Sequence, residues 1–179
     1  MTTGADTGHE ILEGEREAFT SIDFRNTVGS FATGVTVITT RGSDHLYGMT
    51  ANAFSSVSRI TQTRTSGGSR DTEGSRNLAS NGIFVVNVLG EPQEAISRYF
   101  AGRERPRGLE AFKDIPHREA VTGAPVIDGA AAFLDCRLAA THDAGDHLIF
   151  VGEVVALGHD PDVMPLLFHG GRYRFVTDD

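Results

Sequence analysis

The 179-residue chain has one cysteine, few basic residues and no long apolar run. Its single cysteine, Cys136, excludes an intrachain disulfide framework, so we expect a reducing compartment and a small buried thiol in a strand. With 16 Lys and Arg against 24 Asp and Glu, the formal charge is −8, which argues against nucleic acid as a main partner. No segment is long and apolar enough to span a membrane, and the first residues are acidic where a secretory signal would be apolar. We therefore expect a cytoplasmic protein that binds a small molecule or another protein.

Several catalytic constellations are also absent from the sequence. It contains no HExxH or CxxC motif and no recognisable Ser-His-Asp arrangement. Six histidines show no spacing typical of metal ligands: His9, His45, His117, His142, His159 and His169. We expect no metal site.

The pattern of polar and apolar residues predicts one domain with a short tail. Residues 1–19 are polar and aperiodic, which predicts a disordered tail, and 39% hydrophobic residues suffice for a single core over residues 20–176. Ser21 is predicted to cap a first helix, and a second helix begins at Glu91-Pro92 and ends near Gly102. Strands are predicted over residues 35–40, 83–89, 131–140 and 148–157, with a turn at 143–146 joining the last two. The fold class is mainly β, a small barrel with peripheral helices.

The segment from Gly48 to Ser58 is the most informative part of the chain. It carries short hydroxyl side chains, one amide and no charge. Such side chains let a flat polar ligand lie against the backbone while they supply neutral hydrogen bonds, as an isoalloxazine ring with its ribityl chain requires. An ordinary strand, whose hydroxyls bond neighbouring backbone groups, explains the composition equally well. Both interpretations stay open on composition alone.

An ordered set of segments gives the chain a resemblance to a known family. They run from about residue 22 to 175 and comprise Phe31-Ala-Thr-Gly-Val-Thr-Val37, Gly48-Met-Thr-Ala-Asn52, Ser55-Ser-Val-Ser58, Phe84-Val-Val-Asn-Val-Leu89, Gly123-Ala-Pro125, Cys136, Gly145-Asp-His147, Phe150-Val-Gly-Glu-Val154 and Gly171-Arg-Tyr173. The chain resembles the flavin reductase family with the FMN-binding split-barrel fold, which includes the reductase partners of two-component flavin monooxygenases.

This resemblance implies an NAD(P)H:flavin oxidoreductase that supplies reduced FMN or FAD to a partner monooxygenase. It also implies a homodimer, because related split barrels are homodimers and the apolar strands exceed what one small barrel covers. No basic cluster in the sequence is suited to a 2′-phosphate, so NADH is preferred over NADPH. A bound-flavin oxidase of the pyridoxamine-phosphate type is disfavoured, because the Gly-Asp-His and Gly-Arg-Tyr segments match the reductases.

The resemblance also implies the residues of the site. Those expected to line the flavin ring and ribityl chain are Thr50, Ala51, Asn52, Ser55, Ser56, Val57 and Ser58. Those expected near the flavin phosphate are Ser75, Arg76 and Asn77, and those on the nicotinamide side are Phe100, Gly171 and Tyr173. Phe100 lies on an apolar helix face and is equally consistent with a core residue.

His147 is the predicted catalytic residue. The resemblance implies that it positions the nicotinamide carboxamide, shields the stacked rings or supplies a proton after hydride transfer. Its position at the mouth of a predicted hairpin also fits a turn histidine bonded to Asp146.

One segment departs from the family pattern. Where the family has a Pro-containing turn and an apolar strand, residues 59–70 contain one strong apolar residue, Ile60. This composition predicts that a central strand is missing. Compensating frame changes around residues 61–69 or a genuine variant loop would each explain it. The alternative function is a flavin-binding or partner subunit that has lost reductase turnover.

Overall fold

The computed structural model describes residues 19–57, 60–64, 72–102, 104–145 and 147–177. The helices are α1 (Ser21–Gly29), α2 (Glu73–Asn81) and α3 (Glu94–Ala101), with 3₁₀ turns at Glu91–Gln93 and Gly108–Phe112. The strands are β1 (Thr33–Gly34), β2 (Thr36–Arg41), β3 (Leu46–Ala51), β4 (Phe54–Val57), β5 (Ile60–Arg64), β6 (Ile83–Val88), β7 (His117–Glu119), β8 (Pro125–Ile127), β9 (Ala132–Ala144), β10 (His147–His159), β11 (Leu167–His169) and β12 (Arg172–Arg174). No helix in these ranges is long and apolar enough to cross a membrane.

Seven antiparallel strands form the main sheet, in the order β3-β2-β6-β9-β10-β5-β4. The longest hairpin joins β9 to β10, and Ala144 pairs with His147 across a turn in which Gly145 has a φ of 68°. The predicted turn at 143–146 is therefore confirmed in position. Both strands extend beyond their predicted ranges, because the ladder continues through the polar residues near the turn.

The short connection between β3 and β4 curls this sheet. These strands lie at opposite edges, yet only Asn52 and Ala53 separate them in the chain. Six strand spacings of about 4.8 Å would hold the edges roughly 29 Å apart in a flat sheet. Three Cα steps reach at most about 11 Å. The two edges must therefore approach each other without pairing, which is the open seam of a split barrel and confirms the predicted barrel.

Buried polar contacts fix the β7–β8 hairpin to the barrel. Asn87 on β6 is fully buried and donates to the Val37 carbonyl at 3.1 Å, while its amide oxygen accepts from the Ile127 N–H at 2.8 Å. The Thr39 hydroxyl donates to the Pro125 carbonyl at 2.5 Å. Because the buried Asn87 and Thr39 side chains have hydrogen-bond partners, these bonds compensate the cost of removing them from water. Cys136 is fully buried in β9, as predicted.

Helix α1 begins one residue away from the predicted cap. Thr20, rather than Ser21, is the N-cap, and its hydroxyl accepts from the Asp23 N–H at 3.2 Å. The Asp23 carboxylate accepts from the Thr20 N–H at 2.8 Å and completes a capping box. Asp replaces the usual Glu at the third helical position, so this signal is weaker in the sequence. The helix predicted from Glu91-Pro92 to near Gly102 is α3: its α-helical part begins at Glu94, after a 3₁₀ turn over Glu91–Gln93, and Gly102 is its C-cap.

The prediction of a missing strand is wrong for residues 60–64. This segment forms β5, which pairs with β10 from Ile149↔Arg64 to Glu153↔Ile60 and with β4 on its other side. Backbone groups make the ladder hydrogen bonds, and β-branched threonines favour an extended backbone, so a polar segment can fill this place. Residues 65–70 lie outside the described ranges, and the frame-change hypothesis stays a prediction.

Candidate functional site

The seam of the barrel brings together most residues predicted to bind the flavin ring. Thr50 and Ala51 end β3, Asn52 follows, and Ser55 and Ser56 lie on β4. The side chains of Asn52, Ser55 and Ser56 are exposed, whereas Ala51 is buried. Val57 ends β4, and Ser58 lies outside the described residues. Edge strands also present backbone groups that a ligand can bond. The seam can therefore offer a flat polar ligand many neutral hydrogen bonds.

Ser97 connects this seam to the hairpin predicted on the nicotinamide side. The Thr50 hydroxyl donates to the Ser97 carbonyl at 2.7 Å, and the Ser97 hydroxyl lies 2.8 Å from the Tyr173 hydroxyl. Ser97 is fully buried on α3. The sequence analysis missed it, because a lone serine within a helix carries no signal of contacts 47 and 76 residues away.

The β11–β12 hairpin holds Tyr173 in place. Gly170 and Gly171 form its turn with φ values of 57° and 75°, a conformation that favours glycine. The Tyr173 ring packs on Phe168 with centroids 5.4 Å apart, and the Arg98 guanidinium lies 4.6 Å from its centroid. The two predicted residues Gly171 and Tyr173 thus belong to one hairpin beside α3, Gly171 in its turn and Tyr173 on β12.

Helix α2 places the predicted phosphate-binding residues in its first two turns. The hydroxyl of the N-cap Thr72 accepts from the Ser75 N–H at 3.2 Å. Ser75 is buried, Arg76 is exposed, and the amide oxygen of Asn77 lies 3.3 Å from His45 Nε2. The start of a helix carries partial positive charge and favours an anion such as a phosphate.

The sequence analysis considered His45 for metal binding alone, but the structure places it beside this helix. Its Nδ1 lies 2.9 Å from the Asp44 carboxylate, and this hydrogen bond raises the pKa of His45 while it lowers the pKa of Asp44. Asn77 also raises the pKa of His45 through its hydrogen bond, and the nearby Glu73 carboxylate raises it further. No sequence signal marks His45, because its partner Asn77 is 32 residues away.

The structure places Phe100 beneath β3, the strand predicted to bind the flavin. The ring is 1% exposed and lies 5.2 Å from the Phe112 ring, so its burial favours the core interpretation. A Cβ atom on Gly48 would meet Phe100 Cε1 at 2.5 Å. Gly48 is therefore needed for β3 to lie directly on this ring.

His147 is the first residue of β10 and lies half-buried at the end of the long hairpin. It faces Ala144 in the ladder. Asp146, its alternative partner, lies outside the described residues. The predicted role of His147 beside the nicotinamide stays a prediction.

Known proteins share this fold and this order of segments. The flavin reductase like domain matches residues 28–177. The chain belongs to this family. It is 38% identical over 159 residues to an NADH-dependent FAD reductase of Streptomyces globisporus, covering 88% of this chain and 87% of the relative. It is 35% identical to the flavin-dependent monooxygenase reductase subunit HsaB of Mycobacterium tuberculosis, covering 87% and 82%.

A solved structure agrees with these sequence relatives. The NADH:FAD oxidoreductase SgcE6 of Streptomyces globisporus C-1027, in complex with NAD and FAD fragments, superposes with a TM-score of 0.83 at 33% identity. The match covers 96% of this chain and 99% of the other. The split-barrel fold class predicted from the sequence is confirmed.

Replacing Gly48 with Ala should destabilise the protein. The added methyl group would press on the buried Phe100 ring, which has no open space to enter, at a cost of about 1–3 kcal/mol in the free energy of unfolding. Chemical denaturation measures this loss. Gly34→Ala is the matched control, because a Cβ there meets no atom within 4 Å. Equal stability of both variants would show that β3 does not depend on this close approach.

Proposed function

We propose that this flavin reductase uses NADH to reduce FMN or FAD and supplies the reduced flavin to a separate monooxygenase. The observation that carries the proposal is the seam between β3 and β4, where exposed amide and hydroxyl side chains lie on a family-typical barrel. Relatives named as NADH-dependent reductases and as a monooxygenase reductase subunit support the nucleotide and the partner.

The residues at the seam fit a flavin. A bound flavin supplies a hydride acceptor, and the nicotinamide nucleotide supplies the hydride. Asn52, Ser55 and Ser56 would bond the polar ring edge and ribityl hydroxyls, and Ala51 would keep the floor of the site flat. The first turns of α2 would hold the phosphate through Ser75, Arg76 and Asn77.

The nicotinamide ring is assigned to the β11–β12 hairpin, which carries Gly171 in its turn and Tyr173 on β12. Tyr173 is held by Ser97 and Arg98, so its ring is fixed before a ligand arrives. His147 would orient the carboxamide or shield the two rings from water. These roles rest on the family resemblance and on the placement of the residues.

The alternative, a subunit without reductase turnover, has lost its main argument. It assumed that residues 59–70 leave the barrel without a central strand, but β5 pairs on both sides. The relatives with reductase names also offer it no support.

A purified sample tests the proposed function directly. NADH oxidation, followed by its absorbance, should depend on added FMN or FAD and should exceed the rate with NADPH. Flavin alone with NADH gives the background. A protein that binds flavin by fluorescence titration yet leaves NADH oxidation at that background would contradict the proposal.

His147→Ala should impair NADH use and leave flavin affinity nearly unchanged. Loss of a positioning contact should lower kcat/KM for NADH about 5- to 150-fold. Steady-state kinetics and flavin titration measure the two effects separately. His142→Ala, at an exposed position of the same hairpin, is the control and should retain normal kinetics. Collapse of flavin binding with intact NADH kinetics would assign His147 to the flavin instead.

The homodimer is a further part of the proposal. No residue of α1 is buried, and its apolar side chains Ile22, Phe24 and Val28 are 64%, 59% and 55% exposed. Phe31, just after the helix, is 75% exposed. A second copy that covers this face would remove a large apolar surface from water.

We also assign the chain to the cytoplasm, since its only cysteine is a buried free thiol. Residues 20–176 are assigned to a single domain.

Phe24→Asp should convert the dimer into a monomer. A carboxylate on the covered face would lose its hydration without gaining a partner. Sedimentation at micromolar concentration measures the change. Val121→Asp places the same charge at a residue that is 62% exposed outside α1, and it should remain dimeric. A wild-type monomer would refute the assembly, whereas a dimeric Phe24→Asp variant would place the interface elsewhere.

A further inference from the structure

A second pocket adjoins the candidate flavin site. Its volume is about 250 Å³, and its walls are the start of β3, the first residue of α2 and the segment before the second 3₁₀ turn. The side chains that the argument uses are those of Tyr47, Glu73, Arg105 and Arg107. Pockets for whole drug-sized ligands hold about 300–1,000 Å³, so this one suits a fragment of a larger ligand.

The charge of the pocket is opposite to that of the chain. Two guanidinium groups face one carboxylate in its lining, whereas the whole chain has a formal charge of −8. Glu73 lies 3.6 Å from Arg107, so it partly neutralises that side chain and leaves Arg105 as the main positive group. The lining favours an anionic group.

Arg105 is held in position before any ligand arrives. Its Nη2 donates to the Gly48 carbonyl at 2.6 Å, and its Nη1 donates to the Gly102 carbonyl. The guanidinium also lies 5.5 Å from the Tyr47 ring centroid. Five N–H groups belong to a guanidinium; two of them make these backbone bonds, and Arg105 also bonds the Tyr47 side chain. The remaining donors suit a phosphate, which guanidinium groups bind with high geometric specificity.

Tyr47 adds a neutral hydroxyl to the same wall. Burial raises the pKa of its phenol, so it stays protonated and can donate a hydrogen bond. A Cβ on Gly74 would lie 3.0 Å from this hydroxyl, which shows how closely α2 approaches it. The pocket therefore begins where the helix assigned to the flavin phosphate begins.

The pocket also continues the path of the flavin along β3. Tyr47 and Gly48 precede Thr50 by three and two residues, which is roughly 7–10 Å along a strand. Glu73 precedes the proposed phosphate residues Ser75 and Asn77 on α2. A ligand that lies at the seam and passes the helix start thus reaches Arg105 with its far end.

We propose that this pocket receives the second phosphate and the ribose of the adenosine end of a dinucleotide, and that this dinucleotide is FAD. The inference rests on the proposed flavin site. FMN ends at its single phosphate, which is assigned to the start of α2, and has no second phosphate or ribose to place in the pocket. The chain therefore binds FAD more tightly than FMN, through Arg105 and, more weakly, Arg107.

Flavin titrations of the full chain test this inference without measuring turnover. Wild-type protein should bind FAD more tightly than FMN, and AMP should compete with FAD but not with FMN. Arg105→Gln should weaken FAD binding about 10- to 100-fold and leave FMN affinity unchanged. Arg107→Gln should weaken FAD binding about two- to fivefold, since its side chain is 83% exposed. Arg118→Gln, on β7 outside the lining, is the matched control.

Glu73→Gln should change FAD affinity in the opposite direction to the arginine variants. Removing this carboxylate frees Arg107 and lowers repulsion, so FAD affinity should rise about two- to fivefold while FMN affinity stays constant. This variant keeps the inference testable if Arg105→Gln loses its backbone bonds and fails to fold.

The flavin affinities of the wild-type protein and its variants decide whether the pocket binds the adenosine end of FAD. Equal affinity of wild-type protein for FMN and FAD would overturn the assignment. An Arg105→Gln or Arg107→Gln variant that loses FMN affinity as much as FAD affinity would also overturn it. A raised KM for NADH with unchanged FAD affinity would give the pocket to the nicotinamide nucleotide and likewise overturn it. Intact FMN binding and FMN reduction in any of these cases would leave the proposed function standing, so the two failures are distinguishable.

Discussion

The two-residue connection between β3 and β4 is the constraint on which the site depends. Because β3 and β4 are the outer strands of a seven-stranded sheet, so short a link can form only if the sheet curls until its edges approach. Because the two edge strands do not pair with each other, their outward backbone groups face the seam instead of a ladder. Asn52 lies in the link itself and Ser55 and Ser56 lie just beyond it, so the fold and the binding surface have one cause.

The sequence predicted the elements whose signals are local. The β9–β10 hairpin was found from its turn residues, and the second helix from its proline start and glycine end. The polar composition of residues 60–64 hides strand β5, because apolar residues are the usual signal of a strand inside a barrel. Its place in the sheet is instead set by backbone pairing with β10 and β4. The composition of residues 60–64 does not encode this pairing.

The same distinction applies to the site. The short hydroxyl side chains between Thr50 and Ser56 are unusual in composition, and this composition predicts either a ligand surface or a strand whose hydroxyls bond neighbouring backbone groups. Ser97 and Arg105 gave no such signal, since each acts through partners that only the fold brings near. Arg105 reaches the Gly48 carbonyl 57 residues away, and no periodicity in the sequence encodes that contact.

Helix α3 and the segment that follows it support both halves of the site. The Ser97 carbonyl accepts a hydrogen bond from the Thr50 hydroxyl, and the Ser97 hydroxyl contacts that of Tyr173. Phe100 packs under Gly48, and the Arg105 guanidinium donates to the Gly48 carbonyl. A shift of α3 would therefore move β3, the strand proposed to bind the flavin, and the Tyr173 hairpin together. Hydride transfer needs two rings held at a fixed separation, and a small rigid misplacement of one against the other is costly. In the proposed complex, this shared buried support would hold the two rings at one separation, although β3 and the β11–β12 hairpin are more than 100 residues apart in the chain.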